Sequence, residues 1–246
     1  MGLCLFIETS LQGSSLALSR SPGDQELLWS HIHLQRQGSA SGMGQQLKMG
    51  LRATGGHPSD IRFIVISRGP GSFTGIRSGL AFAKGFAAAF PGQISWLGLS
   101  ATECAAAWVA DHQRLLERGY RELWFFLPAT RTHGYLTIWT AEGCQSWLTD
   151  VRELRAGGRD LTGAEKGKTL LVFAGTWEAM ELSFNEHPDK LCLRGEELSE
   201  AGLRGMLAVA RGMGPEAFSG AEPEPRYLRQ SSAEENARTA LAGRGS

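Results

Sequence analysis

The first part of the chain contains one compact apolar run, followed by two short segments in which hydrophobic and polar residues alternate. These are Leu3 to Thr9, Ser14 to Ser19 and Glu26 to Leu34. A period of two is typical of strands with one buried face. The breaks between the segments carry Gly13 and the pair Pro22-Gly23, which suit tight turns. The pattern therefore predicts a β-meander of three antiparallel strands.

Beyond the meander, segments with helical spacing alternate with short apolar runs. Spacings of three and four predict helices over Ser41 to Ala53, which ends at Gly55-Gly56, and over Phe73 to about Phe90, which ends at Pro91-Gly92. The apolar runs predict buried strands at Arg62 to Ser67 and Ile94 to Leu99. Ser100 and Glu103 have the spacing of a capping box and predict a further helix that extends to about Arg118. A meander followed by strand-helix alternation predicts a mixed sheet with helices on its faces.

The second half of the chain repeats this order in weaker form. Three strands are predicted at Glu122 to Leu127, Tyr135 to Thr140 and Cys144 to Leu148. The charged, glycine-containing stretch Gly157 to Lys168 predicts a solvent loop. The remaining predicted elements are a strand at Thr169 to Ala174, a short helix near Thr176 to Leu182 and a helix at Glu197 to Arg211.

From Gly212 onward the composition shifts to Gly, Pro, Glu, Arg and Ala, with few large apolar residues. Such a segment buries too little apolar surface to offset the entropy lost on ordering. We therefore expect residues 221–246 to form a largely mobile tail. Tyr227 and Leu228, within Pro225 to Arg229, are the exception, because both can dock onto the body of the protein.

Composition and charge narrow the classes of function. Hydrophobic residues make up 42% of the chain and charged residues 20%, values of an ordinary globular protein. Lys plus Arg and Asp plus Glu each number 25, so attraction to nucleic-acid phosphates is weak and RNA binding would require a partner. The four cysteines form no CxxC pair, and no apolar stretch approaches the ~20 residues of a membrane span. A reducing cytoplasm is the expected location.

The glycine loop between the strand at Arg62 to Ser67 and the helix after it is the most informative segment. Its glycines allow a sharp turn, and Ser72 can cap the free N–H groups of the helix, a place where anions also bind. The spacing GxGxxxG matches neither a Walker loop nor the Rossmann fingerprint. We therefore favour a tight turn and helix cap over a phosphate site.

The helix that follows has apolar or small residues nearly all round. Its large apolar residues form one stripe, its other faces carry Gly and Ala, and Arg77 and Lys84 are its only charges. Such a helix is covered on two sides. One side is its own sheet. The other is either a neighbouring helix, such as Ser41 to Ala53, or a second protein.

Three motifs together resemble the TsaB/YeaZ family: Ile7-Glu8-Thr9-Ser10, Gly69 to Arg77, and Pro225-Arg226-Tyr227-Leu228-Arg229. The likeness is clear over residues 3–110 and thin afterwards. It implies an α/β fold of two actin-like (RNase H-like, ASKHA) subdomains, each a mixed sheet flanked by helices, at residues 1–100 and 101–220. It also implies a non-catalytic subunit that pairs with a TsaD-like protein and works with the ATPase TsaE in threonylcarbamoyl modification of adenosine in tRNA.

The resemblance further implies which residues meet the partner. It places the partner interface, which would also allow a homodimer when the chain is alone, on the glycine loop and the two helices of the first subdomain. The residues are Met43, Leu47, Gly69, Pro70, Gly71, Ser72, Phe73, Thr74, Gly75, Ile76, Arg77, Gly79, Leu80 and Ala83. No catalytic, cofactor or metal residue is expected, and tRNA is contacted only through the complex.

The chain departs from the family pattern at three places. Glu8 replaces the usual Asp, Pro128-Ala129-Thr130 replaces Asp-Ala-Arg, and Gln37 to Leu47 contains no histidine. These departures weaken one alternative, an actin-like ATP-dependent phosphotransferase or metallopeptidase. They leave open another, a divergent relative that only self-associates. His31 and His33 share a strand face but have no third ligand at regular spacing, so we interpret them as an ordinary pair.

Overall fold

Ten strands form two five-stranded sheets in the part of the chain that this computed structural model describes, residues 2–34, 39–130, 132–150, 168–175 and 189–228. The first sheet contains β1 (Leu3–Glu8), β2 (Ser14–Ser19), β3 (Trp29–His33), β4 (Ile61–Ser67) and β5 (Ser95–Leu99). The second contains β6 (Glu122–Pro128), β7 (His133–Thr140), β8 (Gly143–Asp150), β9 (Thr169–Ala174) and β10 (Lys190–Leu193).

Four α-helices accompany these strands in the same ranges. They are α1 (Ser39–Thr54), α2 (Phe73–Ala88), α3 (Ala101–His112) and α4 (Glu196–Gly212). Two short 3₁₀ helices lie at Pro58–Asp60 and Pro215–Ala217. The predicted loop over Gly157 to Lys168, for its residues 157–167, and the predicted helix near Thr176 to Leu182 fall outside the described residues.

The two sheets have the same strand order. It runs β3-β2-β1-β4-β5 in the first and β8-β7-β6-β9-β10 in the second. In each, the first three strands along the chain pair antiparallel and the last two add in parallel. The predicted meander and its repetition are confirmed. So is the predicted fold class, two mixed sheets flanked by helices.

The first sheet is buried on both faces because its strands carry apolar side chains on both. On one face, Leu5, Ile7 and Ile64 pack with α1 and α2. On the other, Phe6 and Val65 pack with Leu203 and Met206 of α4. Each mostly buried strand removes several apolar side chains from water. Burial of each large side chain stabilises the fold by about 1.5–3 kcal/mol.

Helices α3 and α4 pack on each other and are shared by the two sheets. On one side, Cys104 of α3 joins the cluster under the first sheet. On the other, Ala105 and Val109 of α3 pack with Phe125 and Val172 of the second sheet. Gly205 of α4 allows this closeness, since a Cβ there would lie 2.1 Å from the carbonyl oxygen of Cys104. The final helix therefore joins the first subdomain to the second.

Two local predictions are wrong, and one strand was missed. Ser100 makes no side-chain cap bond at the start of α3, and the Glu103 carboxylate, which a capping box would direct to the Ser100 backbone, accepts a hydrogen bond from Arg226. Helix α3 ends at His112, well before Arg118, because Leu115 N bonds back to Ala110 O while Arg114 adopts a φ of 51°. The short strand β10 was not predicted at all.

The segment after α4 contacts the first subdomain from Phe218 onward, before the predicted docking residues Tyr227 and Leu228. Phe218 packs edge-on against Phe63, with ring centroids 5.4 Å apart. Ser219 forms an antiparallel bridge with Trp96 of the edge strand β5 through two backbone hydrogen bonds of 2.7 and 3.0 Å. Residues up to 228 continue along this surface, and residues 229–246 lie outside the described ranges. We call residues 219–228 the strap.

Candidate partner-binding surface and glycine loop

The glycine loop joins β4 to α2 and lies directly against the end of β1. Ser72 N donates a hydrogen bond to Ser10 O at 2.7 Å. A Cβ at Gly71 would lie 2.1 Å from Ser10 O, and a Cβ at Gly75 would lie 1.9 Å from Thr9 O. The glycines are therefore required because two stretches of backbone meet here without room for a side chain.

The start of α2 is capped from within the loop. Ser72 Oγ accepts a hydrogen bond from Gly75 N at 3.1 Å, as the sequence predicts. The carbonyl oxygens of Thr9 and Ser10 stand beside the loop, and an anion placed there would face acceptors. The local geometry thus favours the interpretation as a turn and helix cap over a phosphate site.

The predicted interface residues divide into two groups by burial. Met43, Leu47, Ile76, Leu80 and Ala83 are at most 5% exposed and pack under the first sheet. Gly69, Pro70 and Gly79 are buried as well, whereas Gly71, Phe73 and Gly75 are half-buried and Ser72, Thr74 and Arg77 are exposed. The buried side chains belong to this chain's own core because the apolar stripe of each helix faces the sheet.

The surface left free by α1 and α2 lies on their opposite sides. We call it the outer helix face. Its exposed members are Gly44, Gln45, Lys48, Met49 and Arg52 of α1 and Thr74, Arg77, Ala81, Lys84, Gly85 and Ala88 of α2. Apart from Thr74 and Arg77, these residues are not among the interface residues that the resemblance implies. Helix α2 is thus covered by its sheet on one side and open on the other.

An aromatic and cationic cluster marks the end of this face beside the glycine loop. The ring of Tyr227, from the strap, lies 4.8 Å from that of Phe73. Arg77 places its guanidinium 4.0 Å from the centre of the Phe73 ring and donates from Nε to Tyr227 Oη at 3.2 Å. The predicted docking of Tyr227 is confirmed, and Leu228 packs against the core between the subdomains.

The strap is tied down along its length. Arg226 N donates to Arg68 O at 2.8 Å, and Arg226 Nη1 lies 2.7 Å from Glu103 Oε1 at the start of α3. Four residues earlier in the strap, Glu222 Oε2 lies 3.0 Å from Nζ of Lys84 on α2. The strap therefore connects β5, the glycine loop, α2 and α3.

Glu8 is fully buried at the end of β1. Its Oε1 accepts hydrogen bonds from Ser10 N and Ser10 Oγ, both at 2.7 Å, and from Leu11 N at 3.1 Å. Burial raises the pKa of this carboxyl, and the bonds from Ser10 and Leu11 oppose the rise. Leu11 and Gly202 of α4 are neighbours in this region, so the carboxyl is enclosed by the fold.

A cavity of about 370 Å³ lies where the two subdomains meet. It is lined by the loop after β1, by Pro128, Ala129 and Thr130 after β6, and by Arg194 and Leu198 near the start of α4. Arg131, which follows this loop, is outside the described residues. The buried Glu8 is not among the lining residues.

Other candidate chemistry is sparse in the described ranges. Within them, no group of three or more His, Cys, Asp and Glu residues is placed to hold a metal ion. His31 stacks on Trp29, with centroids 6.0 Å apart. Burial raises the pKa of the Cys144 thiol to about 12. None of the helices described here combines the length and hydropathy that crossing a bilayer requires.

Comparison with solved structures finds proteins that share the fold of this chain. A protein from Pseudomonas aeruginosa with similarity to peptidase YeaZ has the same fold, with a TM-score of 0.62, 23% identity and coverage of 93% of this chain and 100% of that one. YeaZ from Pseudomonas aeruginosa superposes with a TM-score of 0.62 at 21% identity over 92% of this chain and all of its own.

Two further comparisons concern sequence. The family model for TsaD, tRNA N6-adenosine threonylcarbamoyltransferase, matches residues 43–107, which include the glycine loop and α2. No curated protein matches the chain. The chain has the fold of YeaZ, and the resemblance to the TsaB/YeaZ family stated from the sequence is confirmed at the level of the fold.

Proposed function

We propose that this chain is the non-catalytic subunit that pairs with a TsaD-like protein, and works with TsaE, in threonylcarbamoyl modification of adenosine in tRNA. The YeaZ fold over nearly the whole chain is the observation that carries the proposal. The match to the TsaD family model points to the same modification system. The activity of either relative is not transferred to this chain by the fold alone.

The geometry of the glycine loop supports a structural role. Its glycines accommodate the backbone of Thr9 and Ser10, and its capping donor groups are engaged within the chain. Glu8, the acid that stands where an ATP-handling relative would use a carboxylate, is enclosed and hydrogen-bonded on one oxygen to its own loop. A carboxyl whose pKa is raised by burial is a poor ligand for a solvated metal ion.

The outer helix face supplies the surface for a partner. It is exposed, lies next to the glycine loop, and carries small residues that permit close approach of another backbone, among them Gly44, Ala81 and Gly85. Met49 is 47% exposed and adds a large apolar side chain to this face.

Co-purification with the TsaD-like protein of the same organism tests the proposal. We expect a stable complex, and threonylcarbamoylation of tRNA only when TsaD-like protein, TsaE and this chain are combined. We expect no saturable ATP turnover by this chain alone. Failure of the TsaD-like protein to bind, or ATP turnover by the isolated chain, contradicts the proposal.

A further inference from the structure

A cleft of about 250 Å³ lies between the second half of α3, the strand β10 and the first turns of α4. Two acids of α4, Glu197 and Glu200, line it, and we call it the acidic cleft. Four of its other lining residues are apolar: Trp108, Val109, Leu191 and Leu193. The cleft therefore combines an apolar lining with carboxylates, and the proposed function makes no use of it.

The charges of the acidic cleft favour a cation. Glu197 and Glu200 lie three residues apart on one side of α4, where like charges repel each other. Arg204 Nε engages only Oε1 of Glu200, at 2.6 Å. Glu197 accepts a hydrogen bond from Arg194 N at 3.4 Å and forms no ion pair within the described part of the chain. The carbonyl end of α3, which carries partial negative charge, borders the cleft as well.

The apolar lining indicates which kind of cation fits. Trp108 and His112 stack one turn apart on α3, with ring centroids 4.6 Å apart, and this contact fixes the indole ring at the cleft. Hard metal ions require several oxygen ligands, and in the described ranges no three His, Cys, Asp or Glu residues are placed to hold one. An alkylammonium instead buries its methylene groups against apolar side chains while its charged end meets a carboxylate.

We propose that the acidic cleft binds a small linear diamine, at a site independent of the proposed function. One ammonium group pairs with Glu197 and the other with Oε2 of Glu200, and the methylene chain between them packs beside Trp108. The volume supports a ligand of this size, because it lies below the roughly 300–1,000 Å³ of pockets for drug-sized molecules. A lysine side chain offers the same chemistry with a single ammonium group, and the presence of two carboxylates favours the diamine.

The test titrates the full chain with cadaverine, a linear diamine, at low salt and pH 8, where alkylammonium groups keep their protons. The readout is the NMR resonance of the Trp108 indole N–H, which the variant Trp108→Phe identifies by its loss. We expect a saturable shift of this resonance with cadaverine and none with pentanediol, its neutral analogue, at the same concentrations. A Trp108 resonance that cadaverine does not move, or that pentanediol moves equally, overturns the proposal.

A charge variant locates the contact. Glu197→Gln keeps the shape of an exposed side chain and removes its charge, so we expect cadaverine to bind at least fivefold more weakly. The matched control Glu142→Gln makes the same change at an exposed site outside the cleft and should bind within twofold of wild type. Thermal unfolding verifies that both variants fold. Equal affinities of wild type and Glu197→Gln overturn the proposal.

A last titration distinguishes a free diamine from a lysine of another polypeptide. The probe is N-acetyl-lysine methylamide, which presents one ammonium group on a similar chain. We expect it to bind at least fivefold more weakly than cadaverine. Binding as tight as that of cadaverine assigns the cleft to a lysine side chain and overturns the diamine. None of these measurements involves the TsaD-like protein, so the proposed function stands or falls separately.

Discussion

At the scale of single residues, Gly75 and Gly85 show how the same residue type serves different ends in one helix. A Cβ at Gly75 would stand 1.9 Å from Thr9 O, whereas a Cβ at Gly85 would meet nothing within 4 Å. The first glycine permits contact with β1. The second is open and leaves the helix without a side chain at an exposed position.

These contacts predict that a glycine-to-alanine substitution has opposite effects on stability at the two positions. Gly75→Ala should destabilise the chain by about 2–3 kcal/mol, because the backbone of Thr9 or of α2 must move. Gly85→Ala should stabilise it by about 0.5–1 kcal/mol through helix propensity. Urea unfolding of both variants measures the difference. A neutral Gly75→Ala would contradict the close approach of α2 and β1.

Glu8 gives a pH dependence with a definite sign. Its pKa in the folded chain is raised above the ordinary 4.5 by burial, so the folded chain holds the proton more tightly than the unfolded chain. The stability that this provides is fully present below pH 4.5 and is lost as pH rises towards the folded pKa. The loss is about 1.4 kcal/mol for each pH unit between the two values.

Glu8→Gln removes this titration while keeping an oxygen for Ser10 and Leu11. Relative to wild type, the variant should gain stability as pH rises from 4 to 8, measured by urea unfolding at each pH. Glu224→Gln, at an exposed site, is the control and should show no such gain. A variant that instead loses stability relative to wild type as pH rises would show that Glu8 is stabilised as a carboxylate.

At the scale of elements, the parts that could be predicted from sequence are those whose signal is local. A period of two predicts β2 and β3, apolar runs predict β1 and β4, and spacings of three and four predict α1 and α2. Gly55, with a φ of 67°, ends α1 as predicted. The strand β10 was missed because four residues, Lys190–Leu193, are too few to show a period. The end of α3 was missed because Arg114 occupies the left-handed position that usually marks a glycine.

The partner interface that the resemblance implies stays a prediction, but the structure shows which of its residues are buried in this chain's own core. The spacing of three and four residues identified the apolar stripe of α1 and α2. In the structure, the residues of this stripe face the sheet and are buried. The contact of Glu103 with Arg226 joins residues 123 positions apart, and no local pattern encodes it.

The strap makes a measurable connection between distant elements. Glu103 and Arg226 are 26% and 36% exposed and 2.7 Å apart, so their interaction should exceed that of a fully solvated pair. A double-mutant cycle with Glu103→Ala and Arg226→Ala should give a coupling of about 1 kcal/mol. The pair Lys84 and Glu222, more exposed at 3.0 Å, is the matched comparison and should give about 0.3 kcal/mol. Equal couplings would mean that Glu103 does not anchor the strap in solution.

At the scale of the whole molecule, the shared layer of α3 and α4 lies under one face of the first sheet, and α1 and α2 lie on the other face with their outer sides exposed. The first sheet is covered by α4 on one face and by α1 and α2 on the other. Its edge strand β5 is covered by the strap. The proposed association is therefore separable from folding on α2, because one side of this helix packs on the sheet and the other side is exposed.

Adjacent residues of α2 test this separation. Leu80 is 5% exposed beneath the sheet, and Ala81 is exposed on the outer helix face. Leu80→Asp should unfold the chain, since burying an unpaired carboxylate costs several kcal/mol. Ala81→Trp should keep the unfolding temperature within a few degrees of wild type and abolish co-purification with the TsaD-like protein, because its bulk prevents close approach. If Ala81→Trp binds as wild type does, the partner docks elsewhere, and if Leu80→Asp stays folded, Leu80 does not point into the core.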